Sequence, residues 1–166
     1  FDSSQLLQKK QVQVTADSAE IREDQFALFE GNVDIVTDSA IIHANPAEVT
    51  DNGRALSASG DVSYRSPELT VNSDLLSVDS VEQTLKLENT QYQLTGFVGH
   101  GAAGEIDIGT QQGIALRDVS FTTCPLDQQD WRLEASKISI EPGDTLGEGR
   151  HTRFYLGDVP VLYLPY

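Results

Sequence analysis

Two short phrases recur along this chain at a spacing near 29 residues, and that period constrains the fold more than any other feature. The first reads VTADSAEI at residues 14–21, IHANPAEV at 42–49, VNSDLLSV at 71–78, GAAGEIDI at 101–108 and LEASKISI at 133–140. Its small residue falls at Ala16, Ala44, Ser73, Ala103 and Ala135, giving spacings of 28, 29, 30 and 32. The second phrase, EGNVDI, SGDVSY, ENTQYQL and LRDVSFT, is marked by Gly31, Gly60, Asn89 and Asp118, each 29 residues from the last. A period of this length marks a supersecondary unit that stacks on its neighbours to bury a face it cannot bury alone.

Both phrases alternate apolar with polar residues. Leu56, Ala58, Val62 and Tyr64 share one face at period two, so each unit is a pair of half-buried β-strands. The alternation keeps one phase through Gly31 and Gly60 but slips near Asn89 and Asp118, which predicts a bulge at 89–91 and another at 117–118. Asp51-Asn52-Gly53 predicts a tight type I′ hairpin turn. Asn45-Pro46, Ser66-Pro67 and residues 141–144 read as weaker turn or strand-edge marks, and residues 127–130 as a loop.

At 166 residues the chain forms one domain that buries about 70% of its unfolded surface without disulfides. A formal charge of −15, with only 11 basic residues, repels phosphate backbones and argues against a nucleic-acid partner. The search for chemistry is mostly negative. His43, His100 and His151 stand far apart, no metal-ligand spacing occurs, and His100-Gly101-Ala102-Ala103-Gly104-Glu105 reads as a turn entering the fourth repeat. Carboxylate pairs such as Asp38 with Glu48, or Glu105 with Asp107, belong to solvated faces, so no catalytic residue, metal or cofactor is expected. Cys124, the single cysteine, is either a buried free thiol or half of an intermolecular or interdomain disulfide.

The positive signal is an apolar stripe. Stacked strand pairs bring Ile21, Val33, Ile35, Ile42, Val49, Leu56, Val62, Tyr64, Val71, Leu76, Val78, Leu85, Leu87, Ile106, Ile108, Leu133, Ile138 and Ile140 onto one inner surface, with Tyr92, Phe121 and Trp131 as wall residues near one end. An ordinary closed core explains such a stripe equally well. Small or polar residues around it leave space for a groove that accepts acyl chains. Residues 1–10 lack the pattern and read as a flexible segment ahead of a domain at 11–157. Residues 158–166, apolar and ending at Tyr166, read as a linker into a membrane-embedded part.

Several stretches together resemble the periplasmic N-terminal domain family of the lipopolysaccharide-assembly protein LptD, also called OstA. They are the ADSAEI phrase at residues 16–21, FEGNVDI at 29–35, Phe121-Thr122-Thr123-Cys124-Pro125, Trp131 followed by Leu133-Glu134-Ala135, and the closing residues 158–166. The repeat phrases are shared with the LptA and LptC kind, whereas the Thr-Thr-Cys-Pro run and the exit segment are particular to LptD. The resemblance implies an all-β, twisted, open β-jellyroll, taco-like, of stacked antiparallel strand pairs with an apolar interior groove. It further implies lipopolysaccharide transport, in the periplasm of a Gram-negative bacterium, toward an outer-membrane barrel with an LptE-like plug lipoprotein. An LptA-like bridge protein would add a strand at the edge formed by Gln11, Val12, Gln13, Val14, Thr15 and Ala16. Cys124 would form a disulfide with the barrel. A second cysteine usual in the family near the mature N-terminus is not found in this chain.

Two other readings compete: a sealed β-solenoid that is structural or adhesive, and a stand-alone bridge protein of the LptA or LptC kind. A carbohydrate-active β-helix enzyme lacks the concentrated carboxylate cluster it requires.

Overall fold

The computed structural model describes residues 12–22, 26–67, 69–96, 98–144 and 146–166. The segment 1–10 and Gln11 lie outside the described residues. Six short strands open the chain: β1 (Gln13–Thr15), β2 (Ser18–Arg22), β3 (Phe26–Glu30), β4 (Val33–Val36), β5 (Ile41–Ala44) and β6 (Ala47–Thr50). Six long ones follow: β7 (Ala55–Arg65), β8 (Leu69–Asp79), β9 (Thr84–Leu94), β10 (Gly99–Gly109), β11 (Gly113–Thr122) and β12 (Trp131–Ile140). The last are β13 (Glu148–Arg150), β14 (Thr152–Leu156) and β15 (Val159–Leu164). All pair antiparallel in one open sheet.

The pairing shows that the short strands are halves of long ones. β5 pairs with one half of β7 through Ile42 and Tyr64, and β6 with the other half through Val49 and Leu56. At the opposite end β13 and β14 share β12, through Lys137 with Arg150 and Glu134 with Arg153. The sheet is therefore folded along a single crease that crosses the long strands and passes between the short ones, and its two halves face each other as walls. One wall runs from β2, β3 and β6, the other from β1, β4 and β5, and both continue through the long strands.

The crease explains the sequence period. Gly31, Gly60, Asn89 and Asp118 all have positive φ, at 75°, 68°, 52° and 49°. Glycine adopts that region freely, and Asn and Asp tolerate it because their short polar side chains can bond locally. The first phrase supplies the inner side of the same line. Ala44, Ser73, Ala103 and Ala135 are all buried where the walls converge, and only small side chains fit there.

Two expectations need correction. No residue is inserted at 89–91 or 117–118: Ala103 pairs with Thr90 and Glu105 with Glu88 in one register, and Val119 and Arg117 face the same two residues of β10 in another. The inner phase slips in β8 to β12 together, so neighbours stay matched. A register shift lies instead between Ser59 and Val62 of β7, where Gly60 and Asp61 both have positive φ, and another between Phe154 and Tyr155 of β14 against β15. A bulge is an excess relative to the partner strand, and β7 keeps an unbroken alternation only by carrying one more residue than β8. The β6–β7 connection is also not a two-residue turn. Thr50 pairs with Ala55, and Asp51, Asn52 and Gly53 all have positive φ within a four-residue loop.

Residues 158–166, expected to be a linker, carry β15, which pairs with β14 at the end of the sheet. The core sits along the crease, where Leu76, Leu87, Val33, Val62 and Val71 are fully buried.

Candidate functional site: an apolar trough between the walls

Residues opposite each other on antiparallel strands share a face, so the register traces the inner surface. On one wall Ile21, Ala27, Val49, Leu56, Val78, Leu85, Ile108, Ile114 and Ile140 oppose one another in turn from β2 to β12. Nearer the crease a parallel row joins Phe29, Ala47, Ala58, Leu76, Leu87, Ile106, Leu116 and Ile138. On the other wall a row runs from Val14 through Ile35, Ile42, Tyr64, Val71, Tyr92, Gly101, Phe121, Leu133 and Phe154 to Leu162. None of these rows contains a charged side chain.

Every residue of the predicted stripe lies on this inner surface, with Val33 and Val62 nearest the crease and Trp131 beyond Leu133. Depth separates them into two sets. Leu76, Leu87, Val33, Val62 and Val71 are a packed floor. Leu56, Val78, Leu85 and Ile108 are half-buried along the rim, and Ile21, on the outermost strand, is 72% exposed. The stripe omitted Phe29, Ile114, Leu116, Phe154 and Leu162. Ile114 and Leu116 are legible as an alternating pair, but the pairing that carries them to the rim is long-range.

Near the C-terminal end Trp131 stacks on Phe154 at 5.6 Å and meets Phe121 edge-on at 6.1 Å. Between the walls there, Leu133, Ile138, Gly147, Gly149, Thr152, Leu164 and Tyr166 line a cavity of about 360 Å³. Tyr92 closes the middle of its wall. Its hydroxyl donates to the Ser120 carbonyl at 2.8 Å, and burial pushes its pKa up to about 12.

Among the described residues the sheet ends in unpaired edges at both ends. β1, which holds Gln13, Val14 and Thr15 of the predicted partner edge, is the terminal strand of one wall, and β2 is the terminal strand of the other. Val12 is exposed and Ala16 half-buried beside β1. β15 and β13 end the walls at the far side, and all six residues of β15 are exposed.

Along the described strands the charged side chains lie on the outer surface. Glu105 pairs with Lys86 at 2.7 Å and with Arg117, and Arg117 also holds Asp107 at 2.7 Å, so the Glu105 and Asp107 carboxylates are engaged in a cross-strand network. Among the described residues no cluster of three or more His, Cys, Asp or Glu forms a metal site. Cys124 is a free, buried thiol in the loop between β11 and β12. No disulfide forms within the chain, which has one cysteine. The Thr122 hydroxyl donates to the Trp131 carbonyl at 2.6 Å and accepts from the Cys124 amide at 3.1 Å. The Thr122 hydrogen bond is the main cause holding the Cys124 thiol below its usual range, against the opposing effect of burial.

An antiparallel sheet creased into two walls, with an uncharged inner face and free edges at each end, is an open β-jellyroll. The chain belongs to the family described as LptA/(LptD N-terminal domain) LPS transport protein, whose model matches residues 13–144. It is similar to the LPS-assembly protein LptD of Pseudoalteromonas atlantica, 38% identical over 156 residues that cover 94% of this chain and 21% of that protein. The LPS-assembly protein LptD of Idiomarina loihiensis is 37% identical, over 92% of this chain and 20% of its own length. The chain therefore spans about a fifth of the length of these relatives. Among solved structures it resembles LptH, the LptA homologous periplasmic component of the lipopolysaccharide transport device of Pseudomonas aeruginosa. The TM-score is 0.55 at 19% identity, over 64% of this chain and 81% of LptH, a likeness of fold.

Proposed function

We propose that the trough conducts the acyl chains of lipopolysaccharide through the periplasm, from a bridge protein at the β1 and β2 edges to an outer-membrane barrel beyond β15. The observation that carries this reading is the set of uncharged apolar rows that run from one free edge to the other. Each acyl CH₂ taken from water contributes about 0.8 kcal/mol, so a rim of half-exposed aliphatic side chains holds a chain without enclosing the sugar. The open mouth leaves saccharide and phosphates in water, and an acidic outer surface does not retain phosphates, which suits transit.

The rim residues touch the acyl chains in this reading, and the buried floor supports them. An LptA-like protein adds a strand to β1 main chain to main chain. Cys124 pairs with a cysteine of the barrel after the loop at 123–130 opens, and an LptE-like lipoprotein plugs that barrel.

Site-specific photo-crosslinking in cells carrying the full-length protein tests the conduit. Probes at Leu56 and Val78 on the rim are expected to capture lipopolysaccharide, and probes at Ser57 and Ser77 on the opposite face are not. No adduct at either rim position would return the domain to a sealed structural module.

A further inference from the structure

This acidic chain has only 11 basic residues. Three of them nevertheless stand in one register row, Arg117 opposite Lys137 and Lys137 opposite Arg150. Like charges directly opposite each other on neighbouring strands are unfavourable. Arg117 is offset by Glu105 and Asp107. Among the described residues Lys137 and Arg150 have no such partner. Glu148, on the same outward face two residues before Arg150, opposes Ser139 and pairs with neither.

The patch extends across the crease. The Ser136 hydroxyl donates to the Arg150 carbonyl at 3.0 Å and lies 3.1 Å from His151 Nδ1, fixing the bend between β13 and β14. Arg153 follows, 5.7 Å from the Tyr163 ring. Glu134, which opposes Arg153, is engaged by Arg132 at 2.8 Å. Ile138, Gly149 and Phe154 occupy the inward positions of these strands, so Lys137, Arg150 and Arg153 face away from the trough. Beside them, Tyr155 lies beneath Arg132 at 4.1 Å and Tyr163 is 50% exposed.

We propose that this outer corner of the last strands docks on an anionic phospholipid surface. Basic side chains gain from negative headgroups within a Debye length of the surface, and tyrosine suits the headgroup level, where its ring is half dry and its hydroxyl wet. A second protein with an acidic segment would satisfy the cations but would not account for the exposed Tyr163 ring beside them. Glu148, two residues from Arg150 on the same face, lies within the screening length and offsets one of the three cations Lys137, Arg150 and Arg153, while charges beyond about 8 Å are largely screened at physiological salt.

The test is co-sedimentation of the chain at 0.15 M salt with vesicles of phosphatidylethanolamine and phosphatidylglycerol at 3:1, against vesicles in which phosphatidylcholine replaces the phosphatidylglycerol. Binding is expected to the anionic vesicles only, and K137E/R150E should weaken it at least roughly 30-fold, whereas R65E, an exposed cation far from the corner, leaves it unchanged. K137Q/R150Q guards against misfolding: it removes the opposed charges, so its thermal midpoint should be equal or higher while binding falls. Binding indifferent to phosphatidylglycerol, or undiminished in both double variants, would overturn the proposal. So would capture of an acidic decapeptide at this corner without vesicle binding. Both vesicle types offer acyl chains and neither contains lipopolysaccharide, so the outcome is independent of the trough's role.

Discussion

Tyr92 and Gly101 face each other across β9 and β10, and the Tyr92 hydroxyl lies over the space that a side chain at 101 would fill. A β-carbon at Gly101 would overlap the Ser120 carbonyl oxygen, the acceptor of the Tyr92 hydrogen bond. Glycine here serves close packing, since its φ is not positive, and the ring covers the gap that it leaves in the wall.

Gly101→Ala is therefore expected to destabilise the fold by about 1–3 kcal/mol, the usual cost of overpacking a filled site. Gly96→Ala, with open space around the added carbon, should change stability by less than about 0.5 kcal/mol. Urea denaturation of the two variants checks the difference.

Tyr92 also predicts a pH dependence. Its folded pKa of about 12 lies above the ordinary value of 10.0, so above pH 10 the unfolded chain releases a proton that the folded chain retains. Stability is fully present below about pH 10 and falls as pH rises toward 12, by about 2 kcal/mol in all. Tyr92→Phe loses the hydrogen bond, about 1 kcal/mol at neutral pH, and should flatten this alkaline loss. Thermal midpoints of both proteins between pH 8 and 12 provide the comparison.

The crease makes its own forecast. Asn89→Gly should be neutral or stabilising, because φ at this position is 52° and glycine adopts it without strain. Asn89→Val and Asp118→Val should each cost about 1–3 kcal/mol, the range for a residue forced into that region. Equal stability of the valine and glycine variants in denaturation would show that the crease does not depend on these backbone angles.

At Cys124 the burial and the lowered pKa act in opposite directions on reactivity. Alkylation in the folded chain should be slow at pH 8 and become rapid in denaturant, because access controls the rate when the thiol is covered. Thr122→Val removes the bond to the Cys124 amide and should cost about 1–3 kcal/mol by leaving that buried group unsatisfied. It should also raise the pH midpoint of alkylation.

Much of the architecture was legible in the residues. The 29-residue period marked Gly31, Gly60, Asn89 and Asp118 as equivalent positions of repeated units, but that they form one crease through their positive φ emerges only from the backbone of the folded sheet. Alternation placed Leu56, Val78, Leu85 and Ile108 on a common face, since side chains on a strand point to opposite sides in turn. Partners were less legible. Ile114 belongs to the rim because it opposes Ile108 and Ile140, and nothing local announces either neighbour.

By itself the sequence determined an all-β chain of repeated strand pairs and the apolar face they share, since these follow from local backbone preference and period-two alternation. Only the tertiary structure decided the crease that folds the sheet into two walls, the register shift in β7, the incorporation of β15 into the sheet and the division of the stripe into a buried floor and a half-exposed rim. Register is a relation between strands, and depth is a relation between walls. Both are set by contacts among residues far apart in the chain, where cross-strand packing and shared hydrogen bonds select one arrangement from many that local pattern allows.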